Sequence, residues 1–146
     1  MLRLTKKIEY ALFALQYMAA RLGTVITSKE IADCCGLSVE LTAKVLSSLA
    51  RGGILRAVHG VHGGYILDRM PESISLAEVV RTVEGHTVRL VQCEEEGSEP
   101  CYVEPRCTIR SPLVMLQSEI ERIFEQMTVA HLLDSPLVQL ELPDGS

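Results

Sequence analysis

The sequence lacks the long hydrophobic runs that mark a membrane protein. No stretch of about 18 consecutive apolar residues occurs among its 146 residues. Residues 1–7 lead into an amphipathic segment and do not resemble a secretion signal. Internal repeats and low-complexity tracts are also absent from the sequence. We therefore expect one compact domain with an appendage, soluble and cytoplasmic, with no membrane partner.

The sequence also lacks the marks of a redox enzyme or a nucleotide-binding enzyme. It contains no CxxC pair and no glycine-rich phosphate loop, so an enzyme with redox-active cysteines is a weak hypothesis. The number of cysteines is odd and no export signal accompanies them, which argues against a disulfide framework. Metal or redox chemistry better explains the five cysteines, which are Cys34, Cys35, Cys93, Cys101 and Cys107.

Positive charge is scarce overall, because 14 Lys and Arg stand against 19 Asp and Glu, for a net charge of −5. Residues 1–70 contain nine Lys or Arg and five Asp or Glu, a balance of +4. Residues 71–146 contain five and fourteen, a balance of −9. Because the local field and not the total charge steers nucleic acid, the first half of the chain is suited to meet phosphates.

The first half of the chain predicts three helices from apolar residues that recur at spacings of three and four. Thr27 and Glu30 form a capping box that opens the second helix, which Gly36 ends. Ser38 then caps the third helix. Two short helices joined by a glycine-containing turn predict a helix-turn-helix. The predicted helices cover residues 5–21, 27–35 and 38–53.

After the helices, the pattern becomes typical of strands. Residues 54–58 and 65–67 flank a glycine-rich tip and predict a two-stranded hairpin, the wing of a winged helix. A second capping box, Ser75 with Glu78, opens a helix that Gly85 ends. The sequence therefore predicts a mainly α fold: a winged helix-turn-helix head with a two-stranded wing, followed by a long C-terminal dimerisation helix.

The second half of the chain begins with an irregular segment, residues 91–110, which holds three cysteines. Residues 111–127 then carry a helical apolar stripe that a single chain leaves uncovered, so a symmetry-related partner is expected. The predicted divisions are a DNA-binding domain at 1–85, a cysteine-bearing loop at 86–110, a dimerisation helix with a short terminal helix at 111–134, and a tail at 135–146.

The wing and the segment after it carry a specific pattern. Residues 60–67 read Gly-Val-His-Gly-Gly-Tyr-Ile-Leu, and residues 74–76 read Ile-Ser-Leu. Over residues 2–133 the chain resembles the IscR, NsrR and RirA family of bacterial regulators, also called the Rrf-two family. Further matching segments are Leu4-Thr5, residues 9–12, Ile31-Ala32, Leu37-Ser38, residues 53–55, Val79-Val80 and Glu84-Gly85. The resemblance implies a homodimer crossed by the long helix, with third helices in major grooves and wings near minor grooves.

Seven and then five residues separate Cys93, Cys101 and Cys107. Thiolates bind iron-sulfur clusters, although three cysteines with another ligand also suit zinc, and free thiols are a further alternative. The resemblance implies an iron-sulfur cluster between head and dimerisation helix, of the 4Fe-4S type, with 2Fe-2S as the alternative. It also implies Glu9 of the other subunit as fourth ligand, because Arg110 stands where two-iron members have a histidine.

The third helix and the wing supply the predicted DNA-binding residues. Relatives often carry an arginine where this chain has His59, so the wing contact is expected to be weaker or to depend on pH. Ala43 stands where the best-known member of the family has a glutamate that reads a base. The operator sequence of that member therefore cannot be assigned to this chain. The predicted contacts are Ser38, Glu40, Thr42, Lys44, Ser47, Ser48 and Arg51, with His59 and His62 at the wing tip.

Together these features predict a homodimeric transcription regulator, not an enzyme, that binds a double-stranded DNA operator. Iron, oxygen or nitric oxide is the expected effector, sensed through the iron-sulfur cluster, and repression is the expected mode. The alternative is a cluster-free winged-helix regulator controlled by a protein partner, a small molecule or zinc.

Overall fold

The computed structural model describes residues 3–94 and 97–134, which are mainly helical with one two-stranded sheet. This architecture confirms the predicted fold class. The predicted tail, residues 135–146, lies outside the described residues. None of the helices in the described ranges has the length and apolar content needed to span a membrane.

The α-helices and strands follow one another along the chain with the wing between the third and fourth helices. The helices are α1 (Lys6–Ala19), α2 (Ser28–Cys35), α3 (Val39–Arg51), α4 (Leu76–Glu84) and α5 (Arg110–Gln126), and the strands are β1 (Arg56–Val58) and β2 (Gly64–Ile66). Short 3-10 helices cover Pro71–Ser73, Gln92–Glu94, Glu104–Arg106 and Val129–Asp134.

Side-chain caps and glycines set the helix ends as the sequence predicts. The hydroxyls of Thr27, Ser38 and Ser75 accept hydrogen bonds from backbone N–H groups three residues later, at 3.1, 3.4 and 3.1 Å. Gly36 and Gly85 end α2 and α4 with φ of 67° and 80°. Since side chains rarely adopt this left-handed conformation, glycine is the natural residue at both positions.

The head, residues 3–85, contains the hydrophobic core. Helices α1, α3 and α4 pack against one another, and their inward-facing side chains lose almost all solvent contact. Apolar burial of this extent is the main force that holds these helices together. The largest fully buried side chains include Leu15, Met18, Ile31, Leu46, Leu49, Leu67 and Val79.

The wing is anchored to the head by its second strand. Strands β1 and β2 pair antiparallel, with Ala57 opposite Tyr65. Tyr65 also exchanges two backbone hydrogen bonds with Ile26, of 2.8 and 2.9 Å, on the connection between α1 and α2. A Cβ at Gly64 would lie 2.7 Å from the Ile26 carbonyl oxygen, so this close approach requires glycine.

Helix α5 packs on α4 by one edge of its apolar stripe. Leu113, Ile120 and Phe124 are half-buried there, whereas Leu116 and Ile123 are 49% and 48% exposed. At about 100° per residue, the second set lies roughly 60° around the helix from the first. None of the residues of α5, which the structure describes completely, is buried.

After α5 the chain returns to the head, which the sequence did not predict. The Leu76 N–H donates to the Met127 carbonyl at 2.8 Å, and the Val129 N–H donates to the Ile74 carbonyl at 2.9 Å. The side chain of Val129 is completely buried in the head core. The amide of Gln16 on α1 donates to a carbonyl of the terminal 3-10 helix at 2.7 Å. The C-terminal end of α5 is therefore attached to the head.

Candidate nucleic-acid interface and cysteine loop

The third helix is held in place at its N-terminal cap, Ser38. The hydroxyl of Ser38 caps α3, and the Ser38 N–H donates to the Tyr10 hydroxyl on α1 at 3.1 Å. Val45, Leu46 and Leu49 face the core and are at most 2% exposed. The opposite face of α3 is consequently presented to solvent in a fixed orientation.

Most of the predicted DNA-contacting residues lie on that solvent face. Ser38, Glu40, Lys44 and Arg51 are exposed, while Ser47 and Ser48 are half-buried. An Nη2 of Arg51 donates to the Ser48 hydroxyl at 3.2 Å, and this hydroxyl donates to the Lys44 carbonyl at 3.1 Å. The side chains of three predicted contacts are thus adjacent along one stripe of α3.

Thr42 corrects the predicted interface. Its side chain is only 1% exposed, and its hydroxyl donates to the Ser38 carbonyl at 2.7 Å. The position lies three residues before Val45 and seven before Leu49, within the buried stripe of the helix. Thr42 is therefore a packing residue whose hydroxyl bonds within its own helix, and its side chain does not reach the exposed face of α3.

A basic depression of about 540 Å³ lies beside the exposed face of α3. Lys44, Arg51 and the serines at 47 and 48 line it, together with Lys7 from α1. No carboxylate is among its described lining residues, and Lys7 has no ion-pair partner in the described part of the chain. Lys7 is not among the DNA contacts predicted from the sequence. The adjacent Lys6-Lys7 pair at the start of the first helix was the sequence feature that indicated a basic surface there.

The tip of the wing carries both predicted histidines. His59 and His62 are exposed, and Val61 between them is 97% exposed. A Cβ at Gly63 would lie 2.4 Å from a carbonyl oxygen of the same hairpin, so glycine is required for the tight tip. The turn therefore projects two imidazoles and one apolar side chain away from the head.

The segment between α4 and α5 holds the three predicted metal-ligating cysteines. Cys93 and Cys107 are half-buried and Cys101 is exposed, and none of the three forms a disulfide. The Glu104 N–H donates to the Cys101 carbonyl at 3.0 Å, and the Cys107 N–H donates to the Glu104 carbonyl at 3.3 Å. Cys101 and Cys107 consequently lie at the two ends of a pair of successive tight turns.

As a donor set, three uncombined thiols on an irregular loop fit an iron-sulfur cluster. The single chain does not gather them: within residues 3–94 and 97–134, no three His, Cys, Asp or Glu side chains are arranged to hold a metal ion. Completing such a site requires the loop to rearrange or another chain to contribute.

Glu9, the predicted fourth ligand, lies half-buried on α1. Its carboxylate accepts a hydrogen bond from Lys6 Nζ at 2.9 Å, and this bond and the charge of Glu9 raise the pKa of Lys6. Glu9 also lines a shallow groove of about 270 Å³ with Phe13 and Leu132. Because the prediction places Glu9 against the loop of a second subunit, it stays a prediction in this single chain.

Comparison with known proteins agrees with this geometry. The sequence profile of Rrf2, described as an iron-dependent transcriptional regulator, matches residues 4–135. The HTH-type transcriptional regulator NsrR of Shouchella clausii is 30% identical over 132 residues, which are 90% of this chain and 88% of that protein. Because these relatives are transcriptional regulators, the prediction that the chain is not an enzyme is confirmed.

Two solved structures are similar in fold. CymR, the global cysteine regulator of B. subtilis, superposes with a TM-score of 0.70 at 24% identity and covers 90% of this chain and 96% of its own. IscR of T. potens superposes with a TM-score of 0.70 at 23% identity and covers 99% and 94%. The family profile and the NsrR relative also confirm the resemblance drawn from the wing. The chain belongs to the Rrf2 family of iron-dependent transcriptional regulators.

Proposed function

We propose that this chain is a cytoplasmic, homodimeric repressor that binds an operator through α3 and its wing and senses iron or redox or nitrosative state. The observation that carries the proposal is the basic depression beside α3. Lys7, Lys44 and Arg51 contribute three positive charges to one surface, with no carboxylate among the described lining residues. A surface of this kind suits the phosphates that flank a major groove.

On this proposal the residues of the interface divide into two roles. Lys7, Lys44 and Arg51 neutralise phosphates and contribute affinity for any sequence. Ser38 and Glu40, both exposed in the first turn of α3, are placed to contact base edges, where the carboxylate can accept from a cytosine amino group. His59 and His62 extend the contact to the neighbouring minor groove.

Fluorescence anisotropy with a duplex selected from a random library by the full-length protein tests the interface. Lys44→Ala is expected to weaken binding several-fold on every sequence and to lower the salt slope by about one ion. Lys29→Ala is the matched control, because Lys29 is exposed on α2 and does not line the depression. Equal effects of the two substitutions would contradict the assignment of α3.

The uncovered edge of α5 supports the proposed dimer. Leu116 and Ile123 on α5 and Met127 directly after it are 49%, 48% and 38% exposed, and α5 itself has no buried residue. A second copy of the same helix can cover this stripe with matching apolar side chains. Pairing of this kind would place two heads on one operator.

For sensing, we propose that Cys93, Cys101 and Cys107 hold an iron-sulfur cluster, of the 4Fe-4S type with 2Fe-2S as the alternative, and that Glu9 of the partner subunit supplies an oxygen ligand. The bound cluster would supply redox and nitric-oxide chemistry at this loop. The chain itself would hold the loop to α5 through the ion pair of Arg110 with Glu104, whose N···O distance is 3.2 Å.

The cluster proposal is tested on full-length protein purified without oxygen. We expect visible absorption with stoichiometric iron and sulfide, and loss of both when the three cysteines are replaced by alanine. Cys34→Ala is the control, because Cys34 is exposed at the end of α2 and outside the loop. A colourless wild-type protein that resists reconstitution would contradict the proposal.

The alternative is a cluster-free regulator controlled by zinc, a protein partner or a small molecule, and one observation favours the last two, since zinc needs gathered ligands as well. The described residues of the single chain do not gather three metal-ligating side chains. Metal analysis of the same preparation distinguishes these alternatives. Zinc without sulfide indicates a zinc site. Absence of all metals indicates control by a protein partner or a small molecule.

A further inference from the structure

A second cavity, of about 420 Å³, lies where the head meets α5. Residues from the start of α1, the end of α4, the connection after α4 and the middle of α5 line it. Neither the three loop cysteines nor any residue of the basic depression lines this cavity. We call it the junction pocket, and the volume lies within the range of small-molecule sites.

The walls of the junction pocket are apolar. Ile8 and Val80 are 6% and 3% exposed, and Ile120 and Phe124 from α5 are half-buried. A hydrocarbon or aromatic group placed between these side chains would lose its contact with water, which favours binding. The pocket is therefore suited to a ligand with an apolar body.

The rim of the pocket is charged and incompletely paired. Arg3 and Arg89 both line it, and neither has an ion-pair or hydrogen-bond partner in residues 3–94 and 97–134. The carboxylate of Glu84 also lines the pocket, but it accepts a hydrogen bond from the Thr5 hydroxyl. The two guanidinium groups and the carboxylate leave a balance of +1, which suits one negative charge on a ligand.

We propose that the junction pocket binds a small organic monoanion, with one carboxylate on an apolar body. The carboxylate pairs with Arg3 and Arg89, and the body packs between Ile8 on α1 and Phe124 on α5. A guanidinium group matches a carboxylate with two parallel hydrogen bonds, so arginine is well suited to this role. The ligand contacts both the DNA-binding head and α5, and its binding depends neither on DNA nor on a metal.

The test is calorimetric titration of the full-length protein with three probes that share a phenylpropyl body: hydrocinnamate, its neutral amide and phenylpropylamine. We expect hydrocinnamate to bind at least about tenfold more tightly than the amide, since the amide lacks the charge-assisted hydrogen bonds. The amine, which brings a positive charge to a positive rim, is expected to bind weakest. No detectable binding of hydrocinnamate at millimolar concentration overturns the proposal.

Variants locate the bound probe. Arg89→Ala is expected to weaken hydrocinnamate binding about tenfold and to leave amide binding unchanged, because only the charged contact is removed. Phe124→Ala is expected to weaken the binding of both hydrocinnamate and its amide, because it removes an apolar wall of the pocket. Arg122→Ala is the matched control, because Arg122 lies on α5 but does not line the pocket. Arg89 is exposed and unpaired within the described chain, so the variant should fold, which circular dichroism checks. Unchanged hydrocinnamate affinity in the folded variant also overturns the proposal.

Discussion

The head and helix α5 differ in how their apolar side chains are covered. Among the described residues, every buried hydrophobic side chain except Val129 lies between Ile8 and Val80, and α5 contains none. The head therefore derives its stability from apolar burial within one chain. Helices in proteins are stabilised mainly by packing of their apolar face, and within one chain the apolar face of α5 is only partly packed. The difference teaches that the head is covered within one chain, whereas the apolar stripe of α5 stays partly exposed, which is the basis of the proposed dimer.

The largest expected effect is on the head core. Leu46→Ala removes a side chain that is fully buried on α3, and we expect the free energy of unfolding to fall by about 3 kcal/mol. Leu116→Ala on α5, where the same side chain is 49% exposed, should cost less than about 1 kcal/mol in dilute protein. Urea denaturation followed by far-ultraviolet circular dichroism measures both. Similar losses of unfolding free energy in the two variants would contradict the proposed difference in burial between the head and α5.

The next effect is on association. Ile123→Asp places a charge in the exposed apolar stripe of α5, and we expect the dimer dissociation constant to rise about thirty-fold, equivalent to roughly 2 kcal/mol. Sedimentation equilibrium measures the constant. Gln126→Asp, which introduces the same charge at an exposed polar position of α5, is the control. An unaltered dimer in the first variant would show that this stripe is not the interface.

The head could be predicted from the sequence because its signals are local. Caps at Thr27, Ser38 and Ser75 and helix-ending glycines act within a few residues, so they mark boundaries without knowledge of the tertiary structure. Thr42 was misassigned although its spacing from Val45 places it in the buried stripe. Its hydroxyl suggested a polar contact, but the hydroxyl bonds within its own helix.

The features that the sequence left undetermined involve contacts distant in sequence. The return of residues 127–134 to the head depends on backbone pairing with Ile74 and Leu76, which no local pattern reveals. Lys7 joins the basic depression only because α1 crosses beside α3. The proposed cluster site needs a second subunit or a rearranged loop, because the described residues of the single chain do not bring three metal-ligating side chains together.

A smaller effect is expected where a polar contact joins two parts of the head. Arg69, at the base of the wing, pairs with Glu78 on α4 through two N–H···O contacts of 2.7 and 3.1 Å, and this hydrogen bonding raises the pKa of Arg69. Arg69→Ala should lower the free energy of unfolding by about 1 kcal/mol, because both side chains are partly shielded from water. Thermal denaturation measures it. Arg56→Ala, which breaks a more exposed pair with Asp68, is the control and should cost less.

The smallest effect is expected for the ion pair that joins the head to α5. Arg81 on α4 pairs with Glu125 on α5, but these side chains are 46% and 50% exposed, so water screens the attraction. Arg81→Ala should change the free energy of unfolding by less than about 0.5 kcal/mol and leave the dimer dissociation constant within about twofold. Urea denaturation and sedimentation equilibrium measure the two quantities. A large change in either would mean that polar contacts, and not the apolar stripe, position α5, and the contrast between head and helix would then rest on charge instead of burial.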